Sequence, residues 1–312
     1  MALEFGVQLK AFPSDGSTDL LRFYDDQIAG LPPEFTSLWV SDHFQFGHDP
    51  VLEGWTWLTW LAARFPRFRV GHLVLGQGYR NPALLAKMGA TLQVLSGGRF
   101  ILGLGAGWHE EEYRSYGYGY PSRGERVTQL AEALQIIRMM WTQPTATFRG
   151  EHYTIVDAIC EPKPDPVPPI FVGSPGPRVI RVAAKYADGW TWDAPIETYG
   201  PPHAELLKAC AEIGRDPATV WKLTFADLDF PDDPAQFQGR LEHSYYPGMY
   251  LSQLGPTPAD AVEQLTPLIA LGVSHIIVFG STKRTIERFA EEAVPELMKR
   301  SLSSLQQSPL PD

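Results

Sequence analysis

Short apolar runs alternate with longer amphipathic segments along the chain. This alternation is typical of βα units around a parallel sheet. The runs are rich in Val, Ile, Leu, Phe or Trp without strict alternation, as expected of strands covered on both faces. They predict eight strands, at residues 3–9, 36–41, 69–75, 100–104, 170–173, 189–192, 221–227 and 275–279. We therefore predict an α/β protein with a (β/α)8 TIM barrel fold.

Several helices between these strands have clear boundary signals. Residues 81–95 repeat apolar side chains at three- and four-residue steps, with Asn81 as the N-cap and Pro82 in the first helical position. Residues 123–141 carry a similar apolar stripe along one face. Thr257 is the predicted N-cap of a helix before the last strand.

Two segments interrupt the alternation. Residues 146–155 predict a β-hairpin that turns at Gly150, and a Pro-rich connection follows, so we place an insertion after the fourth helix. Residues 230–255 have no clear period and are predicted to cover the top of the barrel near the seventh strand, as a lid or a dimer contact. We expect a single barrel domain over residues 1–300 and a flexible polar tail over residues 301–312.

Composition and charge argue against several classes of protein. The chain has 312 residues, 44% of them hydrophobic and 20% charged, as in globular proteins. Its formal net charge of −10 argues against binding to the phosphate backbone of nucleic acids. Cys160 and Cys210 lie far apart and are predicted to be free thiols. The sequence has neither a signal peptide nor an apolar run of membrane-spanning length, so we expect a cytoplasmic protein without membrane contact.

Candidate chemistry lies just after the strands, because a parallel barrel has its active site at the C-terminal ends of its strands. Strand two is followed by Asp42 and His43. A histidine there can exchange a proton with a bound ring near neutral pH. The alternative is that Asp42 only orients His43 at the barrel rim. After strand three, Gly76 and Gly78 either admit a flat ligand or form an ordinary glycine-rich loop.

Strand four leads into the glycine-rich sequence Gly103-Leu-Gly-Ala-Gly107. A Rossmann site needs an apolar helix that begins within such glycines, whereas residues 108–116 are polar and aromatic. We therefore interpret the glycines as a thin strand end that a planar cofactor can approach, with Trp108 beside it. The run of three glutamates after His109 suggests metal ligands, but charge runs are usually solvated, so no metal site is predicted.

Strand five is followed by Gly-Ser-Pro-Gly-Pro-Arg at residues 173–178, before a helix. A glycine-rich turn that opens a helix presents free N–H groups and the positive end of the helix dipole, which favour a phosphate. Ser174 and Arg178 would add direct donors, or the segment is a tight turn with Arg178 on the surface. The nucleophile elbow, P-loop and zinc-protease motifs are absent, so we expect the chemistry to come from a bound organic cofactor.

These segments make the chain resemble the luciferase-like monooxygenase superfamily, and within it the branch that uses coenzyme F420. The matching segments lie in family order along nearly the whole chain. They are Phe5-Gly-Val-Gln8, Leu38-Trp-Val-Ser-Asp-His43, Tyr79-Arg-Asn-Pro-Ala-Leu-Leu-Ala-Lys87, residues 95–108, Leu134-Gln-Ile-Ile-Arg138, Ala187-Asp-Gly-Trp190 and Gly255-Pro-Thr-Pro258. FMN-using and F420-using members share most of these motifs.

The resemblance implies a tricyclic cofactor at the C-terminal mouth of the barrel, with a non-proline cis peptide at the strand-three bulge that matches residues 75–77. His43 is the implied catalytic residue. The implied cofactor-binding residues are Asp42, Leu75, Gly76, Gln77, Gly105, Ala106, Gly107, Gly173, Ser174, Gly176, Pro177 and Arg178. F420 sugar-phosphate dehydrogenases of this superfamily carry a catalytic Glu after the strand-four glycines. This chain has Trp108 there, which argues against a sugar-phosphate substrate.

Our first hypothesis is an oxidoreductase that exchanges a hydride between F420 and a small organic substrate, with His43 as the proton relay. The alternatives are a two-component monooxygenase that uses reduced FMN from a separate reductase and O2, and a flavin-binding protein without catalysis. The resemblance also implies a homodimer. Trp55, Trp57 and Trp60 are candidate interface residues, unless they pack in the core. Residues 243–250 are expected to contribute to substrate specificity.

Overall fold

The computed structural model describes residues 3–12, 18–242, 250–280 and 282–307. The strands are β1 (Glu4–Gln8), β2 (Phe35–Val40), β3 (Arg69–His72), β4 (Leu75–Gly76), β5 (Phe100–Gly105), β6 (Ala146–Arg149), β7 (Thr154–Ala158), β8 (Ile170–Gly173), β9 (Gly189–Asp193), β10 (Trp221–Leu228), β11 (Arg240–Glu242), β12 (Tyr250–Leu254) and β13 (Val273–Gly280). The helices are α1 (Leu20–Ile28), α2 (Gly54–Arg64), α3 (Pro82–Leu95), α4 (Glu110–Ser115), α5 (Arg123–Thr142), α6 (Pro177–Tyr186), α7 (Ile196–Glu212), α8 (Pro258–Ala270), α9 (Lys283–Arg288) and α10 (Val294–Gln307).

The main sheet follows the order β1, β2, β3, β5, β8, β9, β10 and β13, and β13 pairs in parallel with β1. Because β10 pairs with both β9 and β13, the sheet closes on itself. Helices lie between successive strands, as in a (β/α)8 barrel, so the predicted fold is confirmed. All eight predicted strands are present, and apart from the third their ends differ from the prediction by at most two residues.

The third predicted strand is interrupted. β3 ends at His72, a cis peptide joins Leu73 to Val74, and β4 then pairs with β5. The backbones of β3 and β5 are very close here, since a Cβ at Gly103 would lie 1.9 Å from the carbonyl oxygen of His72. The cis peptide lies at Leu73–Val74, just before residues 75–77, the stretch to which the family resemblance had assigned it.

Contacts group the chain into two compact units. The first, Met1–Ser37 with Thr191–Ala204 and Trp221–Asp312, includes β1, β10, β13, α1 and α8–α10, and Phe5 packs edge-on against Phe289 in its core. The second, Leu38–Trp190 with Glu205–Val220, includes β3–β8 and α2–α6, and its core contains Trp39, Trp141 and Phe171. The single domain over residues 1–300 stays a prediction. α10 continues past residue 300 to Gln307.

The predicted helix starts are confirmed by their caps. The side chain of Asn81 accepts hydrogen bonds from the first backbone N–H groups of α3. Thr257 and Asp260 form a reciprocal capping box at α8, and Ser122 and Glu125 form one at α5. The predicted hairpin is present as the antiparallel pair β6 and β7.

Two expectations about exposed segments change. Trp55 and Trp57 are buried, and Trp55 stacks on His72, so they belong to the core rather than to an exposed interface. In the predicted covering segment, β11 pairs with β12, which continues the sheet beside β10. Residues 243–249, where we expected part of the substrate specificity, lie outside the described residues.

Two smaller points concern the described part of the chain. None of its helices is both long and apolar enough to cross a membrane. Cys160 and Cys210 are buried and free, as predicted from their separation.

Candidate active site

The candidate site lies in the second unit, around the C-terminal ends of β2, β4, β5 and β8. Asp42 and His43 follow β2, and Gly76 ends β4. The glycine-rich end of β5 runs beside β8, where Leu104 is opposite Val172. Parallel strands bring these ends to one edge of the sheet, so residues far apart in sequence meet there.

Glu112 in α4 is the most connected side chain of the site. Its side chain has no exposed surface. Oε1 accepts hydrogen bonds from the backbone N–H groups of Phe44 and Gln45, at 2.6 and 3.1 Å. Oε2 accepts one from the hydroxyl of Tyr79 at 2.8 Å. Burial and the charge of Glu112 raise the pKa of Tyr79, which keeps that hydroxyl protonated as a donor.

The same carboxylate binds two histidines. Nδ1 of His43 and Nδ1 of His109 each lie 3.0 Å from Oε2 of Glu112. Burial alone would raise the pKa of Glu112, but the hydrogen bond and charge of His43, with the N–H groups of Phe44 and Gln45, lower it to about 2. An ionised carboxylate can only accept, so Nδ1 of His43 carries a proton, and Nε2 carries the lone pair when the ring is neutral.

Our interpretation of the three glutamates as a solvated run was wrong for Glu112. Glu110 and Glu111 are exposed, whereas Glu112 and Tyr113 are buried. Glu112 is buried because the short helix α4 directs Glu112 and Tyr113 towards the interior and Glu110 and Glu111 towards the surface. Helical periodicity in residues 110–115 was the available signal, and the polar composition hid it.

His43, His109 and Glu112 also have the composition of a metal site, since one ligand atom from each lies within 4.8 Å of the others. Hydrogen bonds already account for this geometry. Both oxygens of Glu112 accept N–H or O–H donors, and a metal on Nδ1 of His43 would replace one of those donors. We keep the interpretation as a hydrogen-bonded cluster, and the predicted lack of a metal stays a prediction.

Asp42 holds the backbone of β4 in place. Its carboxylate has no exposed surface and accepts a hydrogen bond from the N–H of Gly76 at 2.9 Å. Arg80 donates to both oxygens of Asp42 at 2.9 Å and also contacts Glu53. Both oxygens of Asp42 are thus engaged by Arg80 or Gly76, and its predicted role beside a cofactor ring stays a prediction. Glu112, which we did not predict, is the residue that orients His43.

A strip of small residues borders His43. Gly76, Ala106 and Gly107 are half-buried, so their backbone is partly accessible. A Cβ at the buried Gly105 would lie 2.9 Å from Cγ2 of Val74 and 3.5 Å from the carbonyl oxygen of Gly173, so the end of β5 packs closely between its neighbours. Leu75 is fully buried, so only its backbone belongs to this surface.

Gln77 links the strip to the hairpin insertion. It is 1% exposed, and its Nε2 donates a hydrogen bond to the hydroxyl of Tyr153 at 2.6 Å. Its buried Oε1 has no hydrogen-bond partner in the described part of the protein. Tyr153 is a further residue that we did not predict, because nothing in the sequence shows where the hairpin packs.

The predicted phosphate turn precedes α6. Oγ of Ser174 accepts a hydrogen bond from the N–H of Gly176, and the indole of Trp190 donates to the carbonyl of Ser174. Pro177 begins the helix, Gly176 offers no side-chain cap, and Arg178 is exposed. The first N–H groups of α6 are thus not capped by a side chain, and Ser174 keeps its own proton to donate.

These surfaces fit a tricyclic cofactor with a phosphate. A Cβ at Gly76 or Gly107 would collide with Tyr79 or Tyr113, so internal packing requires these glycines, while the half-buried backbone of Gly76, Ala106 and Gly107 is the part that a flat ring could approach. A Cβ at Gly176 would meet only Oγ of Ser174, at 3.4 Å, so the turn before α6 has room for an anion. The segments named from the sequence lie at the ends of neighbouring strands, and the cofactor-binding role of their residues, Asp42 and Leu75 included, stays a prediction.

Comparisons with known proteins agree with this picture. The family model described as luciferase-like monooxygenase matches residues 34–275. An F420-dependent glucose-6-phosphate dehydrogenase from Microbacterium testaceum (strain StLB037) is 35% identical, over 96% of this chain and 98% of its own. One of the same name from Kineococcus radiotolerans is 36% identical over 64% of this chain, and the match spans 61% of that relative.

A solved structure, that of an F420-dependent secondary alcohol dehydrogenase in complex with an F420-acetone adduct, superposes with a TM-score of 0.77. It is 19% identical, and the superposition covers 95% of this chain and 99% of that one, so it supports the barrel fold. The family match confirms the prediction of an oxidoreductase. The chain belongs to the luciferase-like monooxygenase family.

Proposed function

We propose that the protein is an F420-dependent oxidoreductase that exchanges a hydride with a small organic substrate. The observation that carries the proposal is the His43–Glu112 pair beside a strip of glycines at the strand ends. The printed names of the relatives and of the solved structure, all F420-dependent dehydrogenases, support the choice of cofactor.

The cofactor would lie along the strip formed by Gly76, Gly105, Ala106 and Gly107. Its phosphate would meet the turn at residues 173–178, where N–H groups and the hydroxyl of Ser174 can donate. Bound F420 supplies a ring carbon that takes or returns a hydride. Asp42 and Gln77 hold the backbone of this surface, through Gly76 and through Tyr153.

His43 moves the proton of the reaction. Nε2 accepts the proton of a substrate hydroxyl when the alcohol is oxidised, and returns it in the reverse direction. Because Glu112 is ionised and hydrogen-bonded to Nδ1, it stabilises the imidazolium that forms. Phe46 and Trp108 border the ring of His43, with ring centroids 4.7 and 5.6 Å away, and limit its contact with water.

Titration of the purified protein with F420, and separately with FMN, tests the cofactor. We expect saturable quenching of F420 fluorescence and weak binding of FMN. His43→Asn should bind F420 as the wild type does, since His43 is not part of the strip, but should lower kcat by roughly 10²–10⁴-fold. Tight FMN binding without any response to F420 would contradict the proposal.

A second candidate function is an FMN-dependent monooxygenase that uses O2 and receives reduced FMN from a separate reductase. The family description favours it, because it names monooxygenases. In that case O2 consumption would require reduced FMN, and F420 would have no effect. A protein that binds either cofactor but turns over no substrate would support the third reading, a non-catalytic flavin-binding protein.

We propose that the protein works as a cytoplasmic homodimer. Two buried free thiols suit a reducing compartment. Exposed apolar residues on α3, namely Leu84, Val94 and Leu95, provide surface that a second copy could cover. They replace Trp55 and Trp57 as candidate interface residues.

A further inference from the structure

We infer that the substrate is a neutral alcohol, or the corresponding carbonyl compound, with a flat apolar ring that stacks on Trp108. The inference rests on the function proposed above and names the substrate class of the same site. It also departs from the phosphorylated sugar that the names of the sequence relatives would suggest.

Trp108 is placed to contact a substrate at His43. Its side chain is 48% exposed, although it is the largest apolar residue type and lies directly after the buried strand end of β5. Its ring centroid is 5.6 Å from that of His43, with the rings nearly perpendicular at 76°. An indole left half exposed beside a proton-transfer group offers its face to a ligand rather than to the core.

The position of Trp108 is fixed before any ligand binds. Its carbonyl oxygen accepts a hydrogen bond from the hydroxyl of Tyr120 at 3.0 Å. The guanidinium of Arg126 lies 4.0 Å over the ring of Tyr120, and Tyr113 packs against the edge of that ring. These contacts hold the backbone at Trp108, and the rings of His43 and His109, with centroids 5.6 and 5.3 Å away, restrict its side chain, which lowers the entropy lost when a ligand binds.

More aromatic surface lies on the other side of His43. The ring of Phe46 is 4.7 Å from that of His43, and Phe44 packs against Tyr116 at 4.7 Å. Tyr116 and Tyr118 are 53% and 38% exposed. Tyr116 and Tyr118 pack against Phe44, whereas Trp108 and Phe46 border His43 itself, and we call these last two residues the aromatic platform. Such an apolar surface beside a polar group is expected of a site that binds a ring.

The charges near the aromatic platform do not favour a phosphate. Arg80 is bound to Asp42 and Glu53, and Arg114 in α4 is paired with Glu110. The carboxylate of Glu112 is hydrogen-bonded to His43. A dianionic group at this place would meet the ionised carboxylate of Glu112, and Arg126, which has no carboxylate partner among the described residues, is buried over Tyr120, whereas a neutral ring needs no partner of opposite charge.

The test measures KM and kcat for 1-phenylethanol, cyclohexanol and glucose 6-phosphate in the F420-loaded wild type, Trp108→Ala and Trp108→Phe. In Trp108→Ala we expect KM for 1-phenylethanol to rise roughly 3- to 10-fold, the range of one aromatic contact, with a smaller change in kcat. Trp108→Phe should restore most of the affinity. Ile213→Ala removes an exposed apolar side chain from another surface and should leave both constants unchanged.

Fluorescence titration with F420 distinguishes failure of the proposed function from failure of the inference about the substrate. If the wild type does not bind F420, the proposed function fails. If it binds F420 but glucose 6-phosphate or cyclohexanol has a higher kcat/KM than 1-phenylethanol, or 1-phenylethanol does not react, the inference is overturned and the proposed function stands. An unchanged KM in Trp108→Ala, with a shift from dimer to monomer in sedimentation, would overturn it as well, because Trp108 would then belong to a protein interface.

Discussion

Glu112 shows how a single carboxylate can organise an active site. It is fully buried, yet its charge is stabilised because N–H and O–H donors surround both oxygens. Burying a carboxylate without such donors would cost several kcal/mol and would neutralise it. The donors come from the loop after β2 and from Tyr79, so the same contacts that keep Glu112 ionised also fix the position of His43.

Glu112→Gln tests this arrangement. An amide keeps the shape but removes the charge, so the imidazolium of His43 loses its stabilisation, and we expect kcat to fall by roughly 10²-fold. The exposed Glu110→Gln is the matched control and should retain activity. Equal activity in the two variants would remove Glu112 from the mechanism.

The same variant changes the pH dependence of stability. The pKa of Glu112 is lowered from its ordinary value of 4.5 to about 2, so its charge stabilises the fold above pH 4.5. That contribution, on the order of a few kcal/mol, is lost as the pH falls through 2. Chemical denaturation between pH 6 and pH 2 should therefore show a smaller acid loss in Glu112→Gln than in the wild type or in Glu110→Gln.

Two carboxyl groups in the first unit have pKa values that are raised rather than lowered. Burial and the charge of Asp227 raise the pKa of Asp193 from 3.8 to about 7, and burial with the charge of Asp229 raises that of Asp227 to about 6, although Gln253 donates to it. In the unfolded chain both groups ionise near pH 4. The folded state therefore holds more protons between pH 4 and 7, and stability falls as the pH rises through this window.

Asp193→Asn should remove part of the loss of stability that accompanies rising pH. We expect the variant to be more stable than the wild type at pH 8, by on the order of 1–3 kcal/mol after allowance for partial exposure, and equal to it near pH 4. Asp232→Asn, at an exposed position, is the control and should show no such difference. Thermal unfolding at the two pH values measures the stability of each variant. The same difference between Asp193→Asn and the wild type at both pH values would contradict a raised pKa of Asp193.

At the scale of elements, the close approach of β3 and β5 depends on one residue without a side chain. A Cβ at Gly103 would collide with backbone, which cannot rotate away as a side chain can. Gly103→Ala should destabilise the protein by roughly 2–3 kcal/mol or more. Gly119→Ala, where a Cβ would meet no atom within 4 Å, should change stability by less than about 0.5 kcal/mol. Urea unfolding compares them, and equal midpoints would show that the strands can move apart.

The elements also show what could be predicted from sequence. Strands and long helices were predictable because apolar periodicity and caps such as Asn81 and Thr257 are local signals. The short helix α4 was not, since six polar residues carry almost no apolar stripe. The break after His72 has no local apolar signal, so only the family resemblance indicated it, and the close approach to Gly103 involves a residue on another strand.

At the scale of the whole molecule, the order of the strands follows from the chain itself, because consecutive βα units pack side by side. The segments of the cofactor surface could therefore be named from their positions at strand ends. Their detailed roles could not. Whether Asp42 faces a ligand or Arg80, and which glutamate turns inward, depends on contacts between residues far apart in sequence.

The hairpin of β6 and β7 is held in place by contacts with α5 and with Gln77. It forms its own two-stranded sheet, and such a pair is only marginally stable alone. Glu132 of α5 supplies the anchor by accepting hydrogen bonds from the N–H groups of residues 151–153. Tyr153, next to this anchor, holds Gln77. The hydrogen bond between Tyr153 and Gln77 couples opening of the hairpin to movement of Gln77, so we expect a ligand that requires Gln77 in place to stabilise the hairpin as well.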